Sequence, residues 1–461
     1  MEIMNYSKVS IKKFLNFFLD LIVEREYFSI LSFIFLFFIQ ERTKDGYSVF
    51  RRSSKNGRIT ILALDADRYR GDLKVLSSNI NFQVLCIRHK WQGVLIRSLY
   101  GRRPPKAENV AKIGSVNKVQ KFMTSFLVEL YLIIKVDCVM TINYRYIEDF
   151  DWTLASEKIG VPYIMLYREC LLNVKRIRHD VKKRHRRMGV FHGTKIIVHN
   201  SICKSSFVDS GYCKSSKIKV CGALRMDSFL KKVNNYLSYS AIKEKKKFVL
   251  FYFPYNMSLF GKDSKCIDDD YKYKYAFNVW NGRENLFKDL HESILKLAKL
   301  NTDIDFIIKP KKVMMESKSW EFYEKVVSDS GVDVSSLDNY KIEPDLDVHK
   351  LIFESDIICA LQSSTVIESG LAGKRVVFPL FNGYTETENF KDFGWKDDMM
   401  LFDVANNSSE FEEIVLDSFQ NPAVSKTTLQ KREKIFVKYF NDIDGNAYDC
   451  YVNEIKKTIN C

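Results

Sequence analysis

Two doubly wound α/β domains are predicted by three observations. Short runs that are apolar throughout recur along the chain, and amphipathic stretches of helical period separate them. The alternation stops near residue 231 and begins again near 247. Strands apolar on both faces belong in a parallel sheet covered by helices on each side. A length of 461 residues fits two such cores better than one.

The elements follow in order. "IKKFLNFFLDLIV" (11–23) and "YFSILSFIFLFFI" (27–39) are apolar runs broken by Glu24, Arg25 and Glu26. Each falls short of the roughly 20 residues a spanning helix needs. Residues 1–57 therefore read as a pair of helices packed on the first domain, with an in-plane membrane anchor as the alternative and a true span the least favoured. No small-residue cleavage site follows, which argues against a signal peptide. After a basic linker (42–58), strands are expected at 59–65, 82–87, 138–143, 162–167, 195–200 and 218–222, with helices over 117–135 and 151–159. These make a domain over 58–235. A Lys-rich hinge (231–246) leads to a second domain over 247–425, with strands at 247–254, 305–310, 356–361 and 375–381 and a helix over 285–300. Residues 426–461 read as one or two amphipathic helices crossing back to the first domain. No internal repeat of 20–50 residues suggests a solenoid.

Composition bounds the function. With 46% hydrophobic and 28% charged residues the chain is globular rather than disordered. Its formal charge of +15 suits a polyanion, an anionic membrane surface or an acidic substrate. Ten cysteines are scattered singly, so reduced buried thiols are expected, with no disulfide framework and no zinc site. Neither a Walker A loop nor Gly-x-Gly-x-x-Gly is present, so kinase, ATPase and dinucleotide oxidoreductase readings lack their phosphate loop.

In open α/β sheets ligands sit at the carboxyl ends of strands, so the residues just after each strand matter most. "LQSSTVIESGLAGKRVVFPLF" (361–381) is the richest such stretch. Gln362 and the hydroxyls of Ser363, Ser364 and Thr365 fall where a helix begins, and a helix N-terminus attracts phosphate. The simpler reading is a helix N-cap. Glu368, one turn on, could accept from a ribose hydroxyl, and Gly370 and Gly373 let the helix pack closely and stop. Lys309 and Lys311 follow another strand and would stabilise an anionic leaving group. Arg225 is a third candidate cation, with Asp227 as its salt-bridge partner. Glu169 ends the strand "PYIMLYRE" and is the first candidate for a base, with Asp65 and Asp67 of "ALDAD" as alternatives. The run "KRIRHDVKKRHRRMG" (175–189) suits anionic lipid head groups or an acidic lipid-linked acceptor, and His179 and His185 within it read as surface residues. It carries no accompanying nucleic-acid-binding signature.

The stretch "SSTVIESGLAGKRVVFPLF" resembles the donor-site segment of GT-B-fold glycosyltransferases that build bacterial surface polysaccharides such as capsule and O-antigen. Related segments occur in UDP-GlcNAc 2-epimerases and in CDP-glycerol and Kdo transferases. "VCGALRMDSFL" (220–230) is similar to the strand–Gly–x–x–Arg–x–Asp pattern of such transferases. "FIIKPKK" (306–312) sits where relatives carry Lys-Pro-His-Pro, but Lys311 replaces the His, a departure from the CMP-sialic acid, Kdo and glycerophosphate branches. The likeness covers roughly residues 160–385. It implies a GT-B fold of two Rossmann-like domains facing a central cleft. The donor nucleotide would lie on Gln362, Ser363, Ser364, Thr365, Glu368, Lys309, Lys311 and Arg225, and the acceptor with Glu169, Asp65 or Asp67. It implies no metal and no cofactor, a nucleotide-sugar donor and a lipid-linked or saccharide acceptor. The protein would be cytoplasmic and peripheral at the inner face of the plasma membrane. The alternatives are a sugar-nucleotide epimerase or transferase of the same fold, and a non-catalytic membrane or nucleic-acid-binding protein. A GT-A reading of Asp65-x-Asp67 leaves the second domain unexplained, and Tyr69 breaks the haloacid dehalogenase pattern.

Overall fold

The computed structural model describes residues 19–50, 57–69, 71–101, 104–106, 109, 116–144, 146–169, 175–236, 245–253, 282–361, 363–386, 390 and 393–460. The chain forms two compact units, Met1–Leu172 with Arg178–Leu230 and Lys438–Cys461, and Asn173–Ile177 with Lys231–Val437.

In the first unit, helix α1 (Phe28–Leu36) leads into an antiparallel edge hairpin of β1 (Ile39–Arg42) and β2 (Tyr47–Val49). Then follow β3 (Ile59–Ala63), α2 (Asp72–Leu76), β4 (Phe82–Ile87), α3 (His89–Tyr100), α4 (Val116–Ile134) and β5 (Cys138–Thr141). The unit continues with α5 (Ile147–Ile159), β6 (Tyr163–Tyr167), α6 (Lys175–Met188), β7 (Lys195–Val198), α7 (Ser201–Asp209) and β8 (Ile218–Val220), and α8 (Asp227–Tyr236) begins in it and passes into the second. The sheet runs β2-β1-β4-β3-β5-β6-β7-β8, and β3 to β8 are parallel to one another. Its central strands are buried along almost their whole length, as their apolar composition requires.

The second unit contains β9 (Lys246–Phe251), α9 (Gly282–Leu300), β10 (Ile304–Lys309), α10 (Lys318–Asp329), β11 (Tyr340–Ile342) and α11 (Val348–Glu354). After these come β12 (Ile357–Cys359), α12 (Ser364–Leu371), β13 (Arg375–Pro379), β14 (Asp403–Ala405), α13 (Ser408–Gln420) and α14 (Lys426–Phe440). All neighbours in its β11-β10-β9-β12-β13-β14 sheet are parallel. Taken in order of appearance this is the 3-2-1-4-5-6 order of a Rossmann sheet, with its switch point between β9 and β12. Both units are therefore Rossmann-type and doubly wound, the expected fold class.

Helix α14 begins in the second unit and ends in the first, and α15 (Ala447–Ile459) lies wholly in the first. Ala447, Tyr451 and Ile455 complete the same apolar cluster as Leu73, Leu76, Ile61 and Met140. Asp227 fixes this return. Its carboxylate accepts from the backbone N–H of Ala447 at 3.2 Å and of Tyr448 at 2.7 Å, capping α15 from a distant part of the chain.

Four expectations are corrected. The run 27–39 is not one helix, because α1 stops at Leu36 and Ile39–Arg42 pairs with β4 as an edge strand. The linker 42–58 contains β2. Cys221 and Cys450 are joined in a disulfide, whereas only free thiols were expected; their Cα atoms are 5.4 Å apart, bridging the end of β8 and α15. His185 is buried rather than on the surface. Val181, His185 and Met188 form the inward stripe of α6, and the His185 ring stacks on Phe207 at 4.2 Å. Among the described residues no helix is long and apolar enough to cross a membrane.

Candidate functional site

In the second unit, β12 runs out through Ala360 and Leu361 into α12, directly at the switch point. The buried Trp395 donates from Nε1 to the Leu361 carbonyl at 3.1 Å and pins the strand end. Gln362 lies outside the described residues. Ser363 is the N-cap of α12. Its Oγ accepts from the Thr365 N–H at 3.3 Å and from the Thr365 hydroxyl at 2.9 Å. Two of the three hydroxyls thus satisfy the helix end and each other, while Ser364 Oγ takes part in neither bond. Both readings of the motif, cap and phosphate cradle, can hold at once, since different hydroxyls serve them.

Glu368 is buried on the inner side of α12, with Oε2 3.4 Å from Nε2 of His349 on α11. Lys309 ends β10 and donates to the Pro344 carbonyl at 2.6 Å and to the Pro310 carbonyl at 3.2 Å. Partial burial lowers its pKa, opposed by the charges of Asp345, Asp347 and Glu343. Lys311 is exposed just beyond. Gly370 allows α12 to approach α14, because a Cβ there would meet the Phe436 ring at 2.6 Å. The buried Arg432 of α14 completes this contact, donating to the carbonyls of Leu401 and Lys374.

The first unit carries a second constellation, also at a switch point, between β3 and β5. Asp65 follows β3, His89 opens α3 after β4, and Glu148 lies in the first turn of α5 after β5. Nδ1 of His89 is 3.0 Å from Oδ1 of Asp65 and 3.0 Å from Oε1 of Glu148. Asp65 is fully buried in left-handed backbone geometry, φ 54° and ψ 43°. For a non-glycine residue that conformation is strained, and strain of this kind gathers at functional sites. Its N–H donates to Gln92 Oε1 at 3.2 Å, and its Oδ2 lies 3.8 Å from the Arg68 guanidinium, which stacks over the Tyr146 ring at 3.8 Å.

Hydrogen bonds from Asp65 and then Glu148 raise the His89 pKa to about 9, against the opposing cost of burial. The imidazole is therefore charged at neutral pH, a proton donor set between two acceptors. Asp149, buried next to this trio and bonded by the Thr141 hydroxyl at 2.7 Å, has its pKa raised well above the carboxylate range, first by burial and then by the Asp65 charge. One imidazole nitrogen and two carboxylate oxygens, all within 4.8 Å of one another, are also a donor set a cation could use. Arg68 already supplies positive charge there, which favours the proton-sharing reading.

The remaining predicted residues are dispersed. Asp67 is exposed, 3.8 Å from Arg88. Glu169 is exposed beyond β6, and its carbonyl accepts from the Cys203 thiol at 2.7 Å. Arg225 belongs to the first unit, where its charge acts on buried Asp72 and His199. Sequence reasoning missed His89, Glu148, Asp149 and His349. For the first three, the available signal was their place in the turns and helix starts that follow "FQVLCI" and "CVMTIN".

Two Rossmann-type sheets in one chain, with the last helix returning to the first, define a GT-B-type architecture. No family model matches the sequence, and no curated protein matches it. Among solved structures the chain is similar to a UDP-GlcNAc 2-epimerase from Neisseria meningitidis bound to UDP-GlcNAc, at 16% identity and a TM-score of 0.47 over 87% of this chain and 100% of that one. It is similar to a putative UDP-N-acetylglucosamine 2-epimerase from Listeria monocytogenes at 13% identity and a TM-score of 0.48, over 87% and 96% of the two chains. A UDP-forming α,α-trehalose-phosphate synthase from Burkholderia xenovorans aligns at 9% identity and a TM-score of 0.43, over 88% and 99%.

Proposed function

We propose that this chain is an enzyme acting on a nucleotide-activated sugar, with the nucleotide held by the second unit and proton transfer carried out in the first. The observation that carries the proposal is the start of α12 at the switch point of a 3-2-1-4-5-6 sheet, with the Ser364 hydroxyl in its first turn. There the positive end of the helix dipole favours a phosphate. Lys309, Lys311 and Glu368 are assigned to the same ligand, with Gln362. Arg225 is the least supported of the donor residues.

The reaction assigned is glycosyl transfer to a hydroxyl of a saccharide or lipid-linked acceptor in surface-polysaccharide assembly. The acceptor oxygen forms a bond to the anomeric carbon, the bond from that carbon to the phosphate oxygen breaks, and the nucleotide leaves with the electron pair. A base takes the acceptor proton. Asp65 and Glu148, held by the charged His89, are the proposed base; Glu169 and Asp67 are the alternatives. A second reading, epimerisation of a nucleotide sugar, is supported by the same proton-sharing cluster, since inversion at carbon needs an acid and a base together.

The deciding experiment is thermal stabilisation by UDP, GDP, CDP, CMP and their sugars, followed by product analysis with the stabilising donor. Stabilisation that Ser364→Ala weakens supports the nucleotide site, and no shift with any nucleotide overturns it. Sugar appearing on an acceptor supports transfer. An epimerised donor with no acceptor present supports the second reading. Glu169→Gln separates the base candidates, because retained turnover removes Glu169.

A further inference from the structure

Two surface features of the first unit are unused by this function. The first is an apolar ridge. Helix α1 packs its inner side on α4 through Phe28 on Phe122 and Phe35 on Phe126, at centroid separations of 5.1 and 5.0 Å. Its outer side carries Tyr27, Ile30, Phe33 and Phe37, with Phe33 59% and Phe37 74% exposed. Leu132 of α4 is 67% exposed, and Ser29 touches Glu129 along the seam between the two helices. Lys118 and Lys121 are exposed on α4, and Lys135 just beyond its end.

The second is the outer face of α6. Its buried stripe is fixed against the unit, and Lys183, Arg186 and Arg187 lie exposed in a helix whose only acidic residue is Asp180. Strand order places both features on one side. The connections β4 to β5, β5 to β6 and β6 to β7 all step across the sheet in the same direction. Right-handed crossovers therefore lay α4, α5 and α6 on the same face, opposite α2.

We infer that this helix-covered face of the first unit seats on an anionic lipid bilayer. The aromatic ridge enters the boundary between head groups and acyl chains, and the basic face of α6 meets the lipid phosphates. The ridge decides against a nucleic acid, whose phosphate backbone offers nothing to Phe33 and Phe37. The density of positive charge on α6 decides against a second copy of this chain, which would bring like charges together.

The test is flotation of the full chain with vesicles of phosphatidylcholine alone and of phosphatidylcholine with phosphatidylglycerol. The protein is expected to float with the anionic vesicles only, and less at high salt. Each basic residue near such a surface contributes roughly fivefold in partition. Lys183→Gln with Arg186→Gln and Arg187→Gln should thus lower binding by on the order of 100-fold, and Phe33→Ser with Phe37→Ser should lower it independently, with circular dichroism unchanged in both. Absence of flotation overturns the inference, as does flotation unaffected by either set of changes. So does a dimer in light scattering that Phe33→Ser with Phe37→Ser dissociates without altering vesicle binding. Tighter binding of duplex DNA than of anionic vesicles, lost in the α6 variant, overturns it as well.

Discussion

Nδ1 of His89 lies 3.0 Å from Oδ1 of Asp65, joining the first residue of α3 to the residue that leaves β3. Both side chains come from the carboxyl ends of adjacent parallel strands, so the contact follows from the sheet order. Its pH behaviour is specific. The folded-state pKa of His89 is raised from 6.5 to about 9, so its contribution to stability is complete below pH 6.5 and is lost as pH rises through 9. The melting temperature should fall over that window, and His89→Asn should flatten the fall. If His89 gives up a proton in turnover, activity falls along the same limb; if it takes one, activity rises there. A flat pH profile of both stability and turnover would count against the proton-sharing role.

Ser363 and Ser364 should separate stability from binding. Removing the cap in Ser363→Ala is expected to lower unfolding free energy by about 1 kcal/mol in denaturant titrations. Ser364→Ala should leave stability within roughly 0.5 kcal/mol and weaken nucleotide affinity about tenfold, a loss of one charge-assisted hydrogen bond. Equal effects of the two changes on binding would assign both hydroxyls to the ligand.

Asp151 is buried against Tyr100, which donates to both carboxyl oxygens at 3.1 and 2.9 Å, and Gln120, which donates at 2.7 Å. Burial nonetheless raises its pKa from 3.8 to about 7. Since the unfolded chain ionises first, folding loses stability as pH climbs from 3.8 to 7 and keeps that deficit above. Asp151→Asn preserves the shape, and its one oxygen can still accept from Tyr100 and Gln120. It should therefore stabilise the protein at pH 8 by on the order of 2 kcal/mol and do little at low pH, as calorimetry at the two pH values would show.

Gly370 is the contact point of α12 with Phe436. Gly370→Ala should cost about 1–3 kcal/mol in unfolding experiments, because the ring is buried and has no room to retreat. A neutral effect would mean that α12 shifts freely, and nucleotide affinity in that variant would then reveal how much the phosphate site depends on helix position.

Most strands were legible because burial on both faces writes an uninterrupted apolar run, as in "FQVLCI" and "DFIIKP". The strands missed are short or polar. β1 hides in the tail of an apolar helical run, and β11 and β14 are three residues each at sheet edges. His185 was misread because the charges around it mask a buried stripe of Val181, His185 and Met188 on helical spacing. The candidate site in the second unit is a contiguous motif and so stands out in the sequence. The trio in the first does not, since Asp65, His89 and Glu148 stand far apart in sequence and only the order of the strands brings them together. The Cys221–Cys450 link, 229 residues apart, left no local trace at all.

The return of α15 has a consequence for biosynthesis. Chains emerge from the ribosome N-terminus first, and domains usually close as they appear. Here the early-emerging unit lacks Ala447, Tyr451 and Ile455 from its apolar cluster until residues 231–437 of the second unit have been made. The later unit, whose segments run from Lys231 to Val437, can close before it. Nascent chains of this protein should thus hold an open, apolar first unit while the second is being made, a natural client for a trigger-type or Hsp70-type chaperone until α15 docks.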